Sequence, residues 1–389
     1  MSLNFVKYNC KKCELCQSSD YITLIDGYNH SFLSDSTSAN VALHKIMCSH
    51  CGLIRNGQSF DIDFLEKHYR EGYKLGSDAA IAEPIMMTSN GPLTRSEVMF
   101  LLIKKSLAEC AIDIEKIGSV LEVGCGEGSL LNRFKNKHVE GIEPNSNSVK
   151  VAQKAGLNVN AGGFEIVSRK YDLIYAIAVF EHVPSPSYFF EKLKAHLNQE
   201  GVIFLCQPCQ DDVSNDIFFS DHLYHFNSEH IAQFAQQAGF TEVFRTNKPE
   251  NVKYFSAHVL QLTNESDEEK ISFNPNRNEK VLETIKFYNQ KFEEINTIVK
   301  FKKVVVWGVG QTFQFFSTYS NLTDSDILFA IDDNLSRYKN VGYKFQIFHS
   351  DNAIPMLTSE HEILFTFQPL QVLQDLLKNK NITYHILTS

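Results

Sequence analysis

The stretch Val120-Leu121-Glu122-Val123-Gly124-Cys125-Gly126-Glu127-Gly128-Ser129-Leu130-Leu131 decides the fold of this chain. An apolar run leads into three glycines at alternate positions, and an apolar pattern typical of a helix follows them. Glycine has no Cβ and adopts positive φ angles freely, so the backbone can turn tightly here and approach a ligand closely. The pattern predicts a buried strand, a ligand-binding turn and a helix. The alternative is an ordinary glycine turn of an α/β protein.

The glycine spacing separates this turn from a dinucleotide-binding site. Dinucleotide-binding turns read G-x-G-x-x-G, because the third glycine packs the helix whose N-terminus holds a pyrophosphate. This chain has G-x-G-x-G instead and resembles motif I of the class I S-adenosylmethionine (SAM) methyltransferases, VLDVGCGTG. The resemblance implies that Glu122, Gly124, Gly126 and Gly128 bind SAM.

The segments that follow resemble the rest of such a domain in the right order. Glu143 ends a second strand 21 residues after Glu122, where an acid is expected to accept the ribose hydroxyls. A short third strand leads to Phe164, where the family backbone lies beside the adenine. A fourth strand reaches Ala178 and His182, and its end faces the methionine in the family. A helix over 186–197 and an apolar run over 201–205 continue a βαβ alternation, which predicts a parallel sheet.

Composition limits the possible partners. The 389 residues are 43% hydrophobic and carry a formal net charge of −9, which disfavours a broad phosphate-binding surface and hence nucleic acid. No apolar stretch is long enough to span a membrane, and the N-terminus lacks a signal-peptide pattern. We therefore expect a soluble, cytoplasmic protein that acts on a small molecule; the sequence leaves its oligomeric state open.

Paired cysteines predict a structural zinc site. Four of the nine cysteines form two C-x-x-C pairs in the N-terminal part, and two such pairs complete a tetrahedral Cys₄ site. A further pair, Cys206 and Cys209, is not expected to bind metal. The expected ligands are Cys13, Cys16, Cys48 and Cys51. Cys10 and His50 are weaker candidates, and reduced cysteines without metal are the alternative. The long interval between the pairs predicts a bridging hairpin.

The C-terminal part predicts a second, smaller Rossmann-like unit. A charged, turn-rich linker and a helix over 279–300 precede an apolar strand that enters the turn Gly308-Val309-Gly310. Two glycines are weak evidence for a nucleotide, so a structural or substrate-clamping role is favoured and ligand binding stays open. The expected organisation is a zinc-binding module and connecting segment over 1–78, a SAM methyltransferase domain over 79–263, a linker and helix over 264–300, and the Rossmann-like domain over 301–389.

This order of modules resembles the sugar C-methyltransferases, which act on nucleotide-linked deoxysugars. The segments 68–77 and 219–227 resemble the family's Y-x-x-x-Y-x-x-S and Y-x-E-H-x-x-x-F-S patterns, and Ala330–Asn334 with Gly342 resembles its V-V-D-D-N…G segment. This chain departs from the family at Phe219, where the family has tyrosine, at Asp221, where it has glutamate, and at 248–251. The resemblance implies a nucleotide-sugar substrate. The departures leave O- or N-methylation open, along with another small metabolite or a non-catalytic SAM-binding adaptor.

Two segments supply candidate catalytic residues. Methyl transfer is an in-line displacement that needs a nucleophile stripped of its proton. We expect His222 to act as the base and His182 and Asp221 to assist it, with Tyr73 as a donor to an enolate or sugar hydroxyl. The alternatives are that His182 only packs near the cofactor and that Tyr73 is a core tyrosine.

Overall fold

The computed structural model describes residues 12–57, 62–73, 85–88, 91–211, 214–263, 277–335 and 342–388. The weaker zinc candidate Cys10, part of the tyrosine-containing segment (74–77) and most of the predicted linker (264–276) lie outside these residues. Within them, no helix is both long and apolar enough to cross a membrane.

The regular elements alternate along most of the chain. The strands of the described residues are β1 (Tyr21–Tyr28), β2 (Ser31–Phe32), β3 (Ser38–Ala39), β4 (Leu43–Cys48), β5 (Ile54–Asn56), β6 (Ile85–Thr88), β7 (Gly91–Thr94), β8 (Ser119–Val123), β9 (His138–Glu143), β10 (Val159–Ala161), β11 (Tyr171–Ile177), β12 (Leu197–Pro208), β13 (Tyr224–His225), β14 (Phe240–Thr246), β15 (Phe255–Leu262), β16 (Val304–Trp307), β17 (Ile327–Ile331), β18 (Ile347–Phe348), β19 (Glu362–Phe365) and β20 (Thr383–Ile386). The α-helices of the same residues are α1 (Ile62–Lys67), α2 (Arg95–Glu109), α3 (Ser146–Lys154), α4 (Pro186–His196), α5 (Ser228–Gln237), α6 (Arg277–Val299), α7 (Gln311–Tyr319), α8 (Ser350–Ala353) and α9 (Gln371–Asn379).

A seven-stranded mixed sheet forms the centre of the predicted methyltransferase domain. Its order is β10-β9-β8-β11-β12-β15-β14. The first five strands are parallel, and β15 runs antiparallel to both of its neighbours. All five residues of β8 are buried, as expected for a central strand covered on both faces. The expected α/β fold of this domain is confirmed.

Capping residues define where the flanking helices begin. Thr94 and Glu97 form a capping box at α2, and Ser185 accepts a hydrogen bond from the Tyr188 amide at α4, with Pro186 in the first turn. These signals are local, which is why the sequence located α4 within one residue of its observed end.

The helix expected after the glycine turn is wrong. The chain forms a short 3₁₀ turn over Leu131–Phe134 instead. Strand β9 begins at His138, so only nine residues separate it from Gly128. That span is too short for the three turns of an average helix.

A four-stranded sheet brings two distant parts of the chain together. Its order is β1-β4-β5-β13, so a strand from the segment between β12 and α5 completes a sheet built by the N-terminal residues. Tyr224 and His225 of β13 pair antiparallel with Arg55 and Ile54 of β5. The cysteine-containing part of the chain therefore shares one sheet with the strand that directly follows Asp221 and His222.

Contacts between residues divide the chain into two compact units. The first comprises 1–26 and 44–281, and the second comprises 27–43 and 282–389. The second unit has a parallel five-stranded sheet in the order β18-β17-β16-β19-β20. The β2–β3 hairpin belongs to it: the Phe32 ring lies 5.9 Å from that of Phe315 on α7, and Ser38 Oγ lies 2.8 Å from Thr318 Oγ1. The hairpin expected between the cysteine pairs thus packs within the C-terminal unit. The boundaries at 78, 263 and 300 stay predictions.

Candidate active site and metal centre

The glycine turn leaves β8 in a conformation that side chains rarely adopt. Gly124, Gly126 and Gly128 have φ angles of 69°, 53° and 79°. A Cβ on Gly124 would lie 2.6 Å from Val179 Cγ2, and one on Gly128 would lie 2.5 Å from Leu157 Cδ1. Both positions therefore require glycine for conformation and for space.

Glu143 braces this turn. Its carboxylate accepts hydrogen bonds from the amides of Gly126, at 2.9 Å, and Asn145, at 2.8 Å. Burial raises the pKa of Glu143, and the two amides oppose that shift. The acid expected to bind the ribose thus lies directly against the glycine turn.

Glu122 is a buried carboxyl at the end of β8. The Tyr175 hydroxyl donates to its Oε2 at 2.9 Å. Burial raises the pKa of Glu122 to about 8. A cationic ligand placed nearby would favour ionisation of this carboxyl, because an opposite charge stabilises the carboxylate.

The other two proposed cofactor residues follow β10 and β11. The Phe164 ring stacks on His196, with ring centroids 5.9 Å apart, and meets the edge of Phe189 at 5.7 Å, so it packs against α4. Ala178 has a φ angle of 53° and donates its amide to the Cys206 carbonyl at 2.8 Å. A left-handed alanine is strained, and such strain is typical of functional sites.

A tyrosine, a histidine and an aspartate meet beyond the end of β11. His182 lies in the 3₁₀ turn Phe180–His182, and its Nδ1 is 2.9 Å from the Asp221 carbonyl oxygen and 2.7 Å from the Tyr69 hydroxyl. The Tyr69 hydroxyl donates its proton to Asp221 Oδ2 at 3.3 Å. Because a carbonyl only accepts, we assign the proton to Nδ1 of His182, which leaves Nε2 as an acceptor. Burial and the nearby charge of His222 lower the pKa of His182 to about 4, so the ring is neutral.

His222 lies next to this group and is supported by a second carboxylate. Its ring centroid is 4.8 Å from that of His182, and its Nδ1 is 3.5 Å from Asp216 Oδ2. Asp216 is held by Gln210 Nε2 at 2.8 Å and His225 Nδ1 at 3.1 Å. Burial opposes the charging of His222, but Asp216, Asp221 and Glu181 outweigh it and raise its pKa. A basic imidazole backed by a carboxylate is suited to accept a proton.

Glu181 is a buried acid that sequence reasoning missed. It is 2% exposed, and neither carboxylate oxygen makes a hydrogen bond to a described residue. Burial raises its pKa to about 7, which the charge of His222 partly opposes. One ligand atom each from Glu181, His182 and His222 lie within 4.8 Å of one another, so the group suits proton transfer or a divalent cation.

The tyrosine that contacts the proposed catalytic group is Tyr69. Tyr73 is half-buried, and its ring packs against that of Tyr69 with centroids 5.2 Å apart. Its carbonyl oxygen accepts a hydrogen bond from Asn145 Nδ2 at 3.2 Å. The two tyrosines are four residues apart: Tyr69 lies in the π-helical turn His68–Gly72, and Tyr73 follows that turn in an extended conformation. This four-residue spacing in the sequence was the signal that could have identified Tyr69 as a site residue.

The four paired cysteines converge. The Sγ atoms of Cys13 and Cys51 are 3.5 Å apart, as are those of Cys16 and Cys48, and all four lie within 4.8 Å of one another. A tetrahedral zinc with Zn–S bonds of about 2.3 Å places its sulfur atoms about 3.8 Å apart, so the arrangement fits this metal. The hydrogen bond between Cys13 and Cys51 lowers the pKa of Cys13 and raises that of Cys51, so Cys13 is the thiolate of the pair. His230 of α5 donates to the Cys51 carbonyl at 2.8 Å.

The central part of the chain is similar to known methyltransferases. Residues 96–243 match a family model described as a methyltransferase domain. A probable (S)-tetrahydroprotoberberine N-methyltransferase 2 from Papaver bracteatum is 31% identical over 104 residues, which cover 23% of this chain and 29% of that protein. A malonyl-[acyl-carrier protein] O-methyltransferase 2 from Ilyobacter polytropus is 28% identical over 130 residues, which cover 30% of this chain and 49% of that one. The chain therefore spans less than half the length of these curated relatives.

Solved structures of methyltransferases also align with part of the chain. A SAM-dependent methyltransferase from Clostridium acetobutylicum aligns with a TM-score of 0.37 at 12% identity, covering 44% of this chain and 93% of that one. A possible histamine N-methyltransferase from Thermotoga maritima aligns with a TM-score of 0.34 at 16% identity, covering 43% and 90%. The family match, the motif I glycines and the order of the seven-stranded sheet identify residues 96–243 as the core of a class I SAM-dependent methyltransferase domain.

Proposed function

We propose that this protein transfers a methyl group from SAM to a nucleotide-linked sugar. The methyltransferase domain supports the choice of donor. The sugar acceptor is supported by the three segments that resemble the sugar C-methyltransferases. The observation that carries the catalytic proposal is the buried His222 imidazole, which lies between Asp216 and the Tyr69–His182–Asp221 group.

In the C-methylation form of the proposal, His222 removes a proton from the carbon next to a sugar ketone. The C–H electron pair forms an enolate, and a donor to its oxygen stabilises that charge. The enolate carbon then attacks the methyl group in line, so a C–C bond forms while the C–S bond breaks. S-adenosylhomocysteine leaves, and the proton stays on His222, where Asp216 stabilises the imidazolium. The hydroxyl of Tyr69 or of Tyr73 is the candidate donor to the enolate oxygen.

The proposed zinc has a structural role. Four thiolates close the coordination sphere and leave no position for substrate or water. The site therefore supports the sheet that contains β13 and takes no part in methyl transfer.

Methylation of a hydroxyl or amine is the second candidate. Phe219, which replaces the tyrosine of the sugar C-methyltransferases, is buried with its ring 5.1 Å from that of His222. A phenyl ring supplies no proton and stabilises no enolate. The curated relatives are N- and O-methyltransferases by name. For such an acceptor, a base that removes one hydroxyl or ammonium proton is sufficient.

Titration calorimetry followed by product analysis tests the proposed function. The purified protein is titrated with SAM, and the SAM-bound protein is then titrated with dTDP, CDP, GDP and UDP. We expect SAM to bind and one nucleotide to bind more tightly than the others. The matching nucleotide keto-sugar is then incubated with SAM, and mass spectrometry locates the added methyl group on carbon, oxygen or nitrogen. No response to any nucleotide would contradict the sugar-nucleotide substrate, and no binding of SAM would contradict the donor.

Replacing Gly124 with alanine tests the cofactor site. The new Cβ would lie 2.6 Å from Val179 Cγ2, so the turn has to move. We expect the Kd for SAM to rise at least about tenfold, which corresponds to about 1.4 kcal/mol. Gly156→Ala is the matched control, because Gly156 has a φ of 82° but no atom within 4 Å of a new Cβ. Equal losses in both variants would show that backbone strain alone, and not the shape of this turn, determines binding.

A further inference from the structure

Lys45 is a fully buried cation that faces the segment carrying the proposed base. It lies on β4 with 0% exposure. Its Nζ donates to the carbonyl oxygens of Phe219, at 2.8 Å, and His222, at 2.9 Å. Burying an ammonium group costs free energy unless its hydrogen bonds are satisfied. A lysine at this position therefore points to a role for the hydrogen bonds that it makes.

The two carbonyls mark the ends of one short loop, Phe219–His222. Between them, the Ser220 carbonyl accepts a hydrogen bond from Asn56 Nδ2 at 2.6 Å. Just beyond them, the Leu223 carbonyl accepts from the Asn56 amide at 3.0 Å. Thus four hydrogen bonds that hold residues 219–223 come from donors on β4 and β5. Regular strand pairing begins only at Tyr224.

Holding this loop determines where the His222 ring lies. The Lys45 ammonium fixes the carbonyl of His222 itself, and the side chain leaves the same residue toward Asp216, 3.5 Å away. The same loop presents the Asp221 carbonyl to His182. A shift of about 1 Å in a catalytic group can cost about 10²-fold in rate, so a clamp on its backbone has a direct functional value.

We propose that Lys45 is a positioning residue that clamps the Phe219–His222 loop and so holds the His222 imidazole against Asp216. Its role in catalysis depends on the proposed function, in which His222 is the base. The clamp concerns only the geometry of the loop, so its effect on the position of His222 can be measured without substrate. Two acids near Lys45, Asp216 and Asp221, favour the charged ammonium, while burial lowers its pKa to about 7.

The test compares Lys45→Met, which has a similar length but no donor, with Lys45→Gln, which keeps an amide donor. The readout is the pKa of His222, measured by NMR titration of its Cε1–H signal in the absence of substrate. The titratable groups near this ring are Asp216, Asp221, Glu181, His182 and His225. If the clamp is lost, the ring moves away from Asp216, and the pKa of His222 falls toward the ordinary value of about 6.5. We expect this fall in Lys45→Met and a smaller one in Lys45→Gln.

The opposite shift would overturn the proposal. If Lys45 acted only through its charge, its removal would raise the pKa of His222, because a nearby cation disfavours imidazolium. An unchanged pKa would equally overturn it. Lys194→Met is the matched control, since the exposed Lys194 also donates to a main-chain carbonyl, that of Ala238, at 2.9 Å. If Lys45→Met does not fold, the same titration of Lys45→Gln decides the question.

Activity then separates this proposal from the proposed function. With an accepted substrate, we expect Lys45→Met to lower kcat at least about tenfold. The Kd for SAM should stay as in the wild type. If the wild-type protein methylates no nucleotide sugar while the pKa of His222 still falls in Lys45→Met, the clamp stands and the proposed substrate is wrong. If methyl transfer occurs while the pKa stays fixed, the proposed function stands and the clamp is wrong.

Discussion

Replacing His222 with glutamine is expected to lower kcat for methyl transfer about 10²- to 10⁴-fold, the usual contribution of a positioned general base. Glutamine keeps a polar group of similar size but has no basic nitrogen. SAM is expected to bind His222→Gln with its wild-type affinity, because the proposed cofactor residues lie on the glycine turn and on the strand ends. Single-turnover assays and SAM titration measure the two quantities separately.

The pH profile gives this prediction a second readout. His222 accepts a proton only when neutral, so kcat/KM is expected to rise with pH and level off above the pKa of His222. The neighbouring carboxylates raise that pKa, so the midpoint should lie above the ordinary histidine value of about 6.5. In His222→Gln this rising limb should disappear. The control is His138→Gln, at an exposed histidine of β9 in the same domain. Wild-type kcat in His222→Gln would eliminate His222 as the base.

Replacing Cys48 with serine is expected to remove the metal and unfold the N-terminal part of the first unit. Structural zinc in small domains contributes about 10–16 kcal/mol of apparent binding free energy. The free energy of unfolding of a whole domain is only about 5–15 kcal/mol. The free energy lost with the zinc is therefore larger than the stability that a small module has without it. Cys48 is fully buried, and serine offers no thiolate. Elemental analysis should give about one zinc per chain for the wild type and almost none for Cys48→Ser.

The loss of zinc should also disturb the structure of the proposed active site. Strand β4 carries both Cys48 and Lys45, and β5 pairs with β13 next to His222. We therefore expect Cys48→Ser to lack the part of the wild-type melting transition that belongs to the N-terminal strands, and to lose methyl transfer. Cys110→Ser is the control, because this half-buried thiol lies at the end of α2, outside the sulfur cluster. A metal-free wild-type protein with an unchanged melting curve would contradict a structural zinc.

Local patterns determined the methyltransferase fold. Buried strands such as β8, the glycine turn and the caps of α2 and α4 depend on neighbours within a few residues, so they can be read from the sequence. The motif I match was correct for the same reason. The short turn at Leu131–Phe134 was missed because apolar residues three positions apart, Leu131 and Phe134, fit a 3₁₀ turn as well as an α-helix. The catalytic and cofactor residues, including His222, Glu143 and Phe164, stay predictions that the geometry supports.

By itself, the sequence determined which chemical groups are available: a SAM-type glycine turn, four paired cysteines, and the acid and histidine at positions 221 and 222. Only the tertiary structure decided which of them meet. Lys45 lies 174 and 177 residues from the carbonyls it binds, and Tyr69 lies 113 residues from His182. The hairpin between the cysteine pairs packs with the C-terminal unit, 280 residues away along the chain. Such contacts form because distant buried polar groups must find partners, and no periodicity or spacing along one segment encodes which partner that will be.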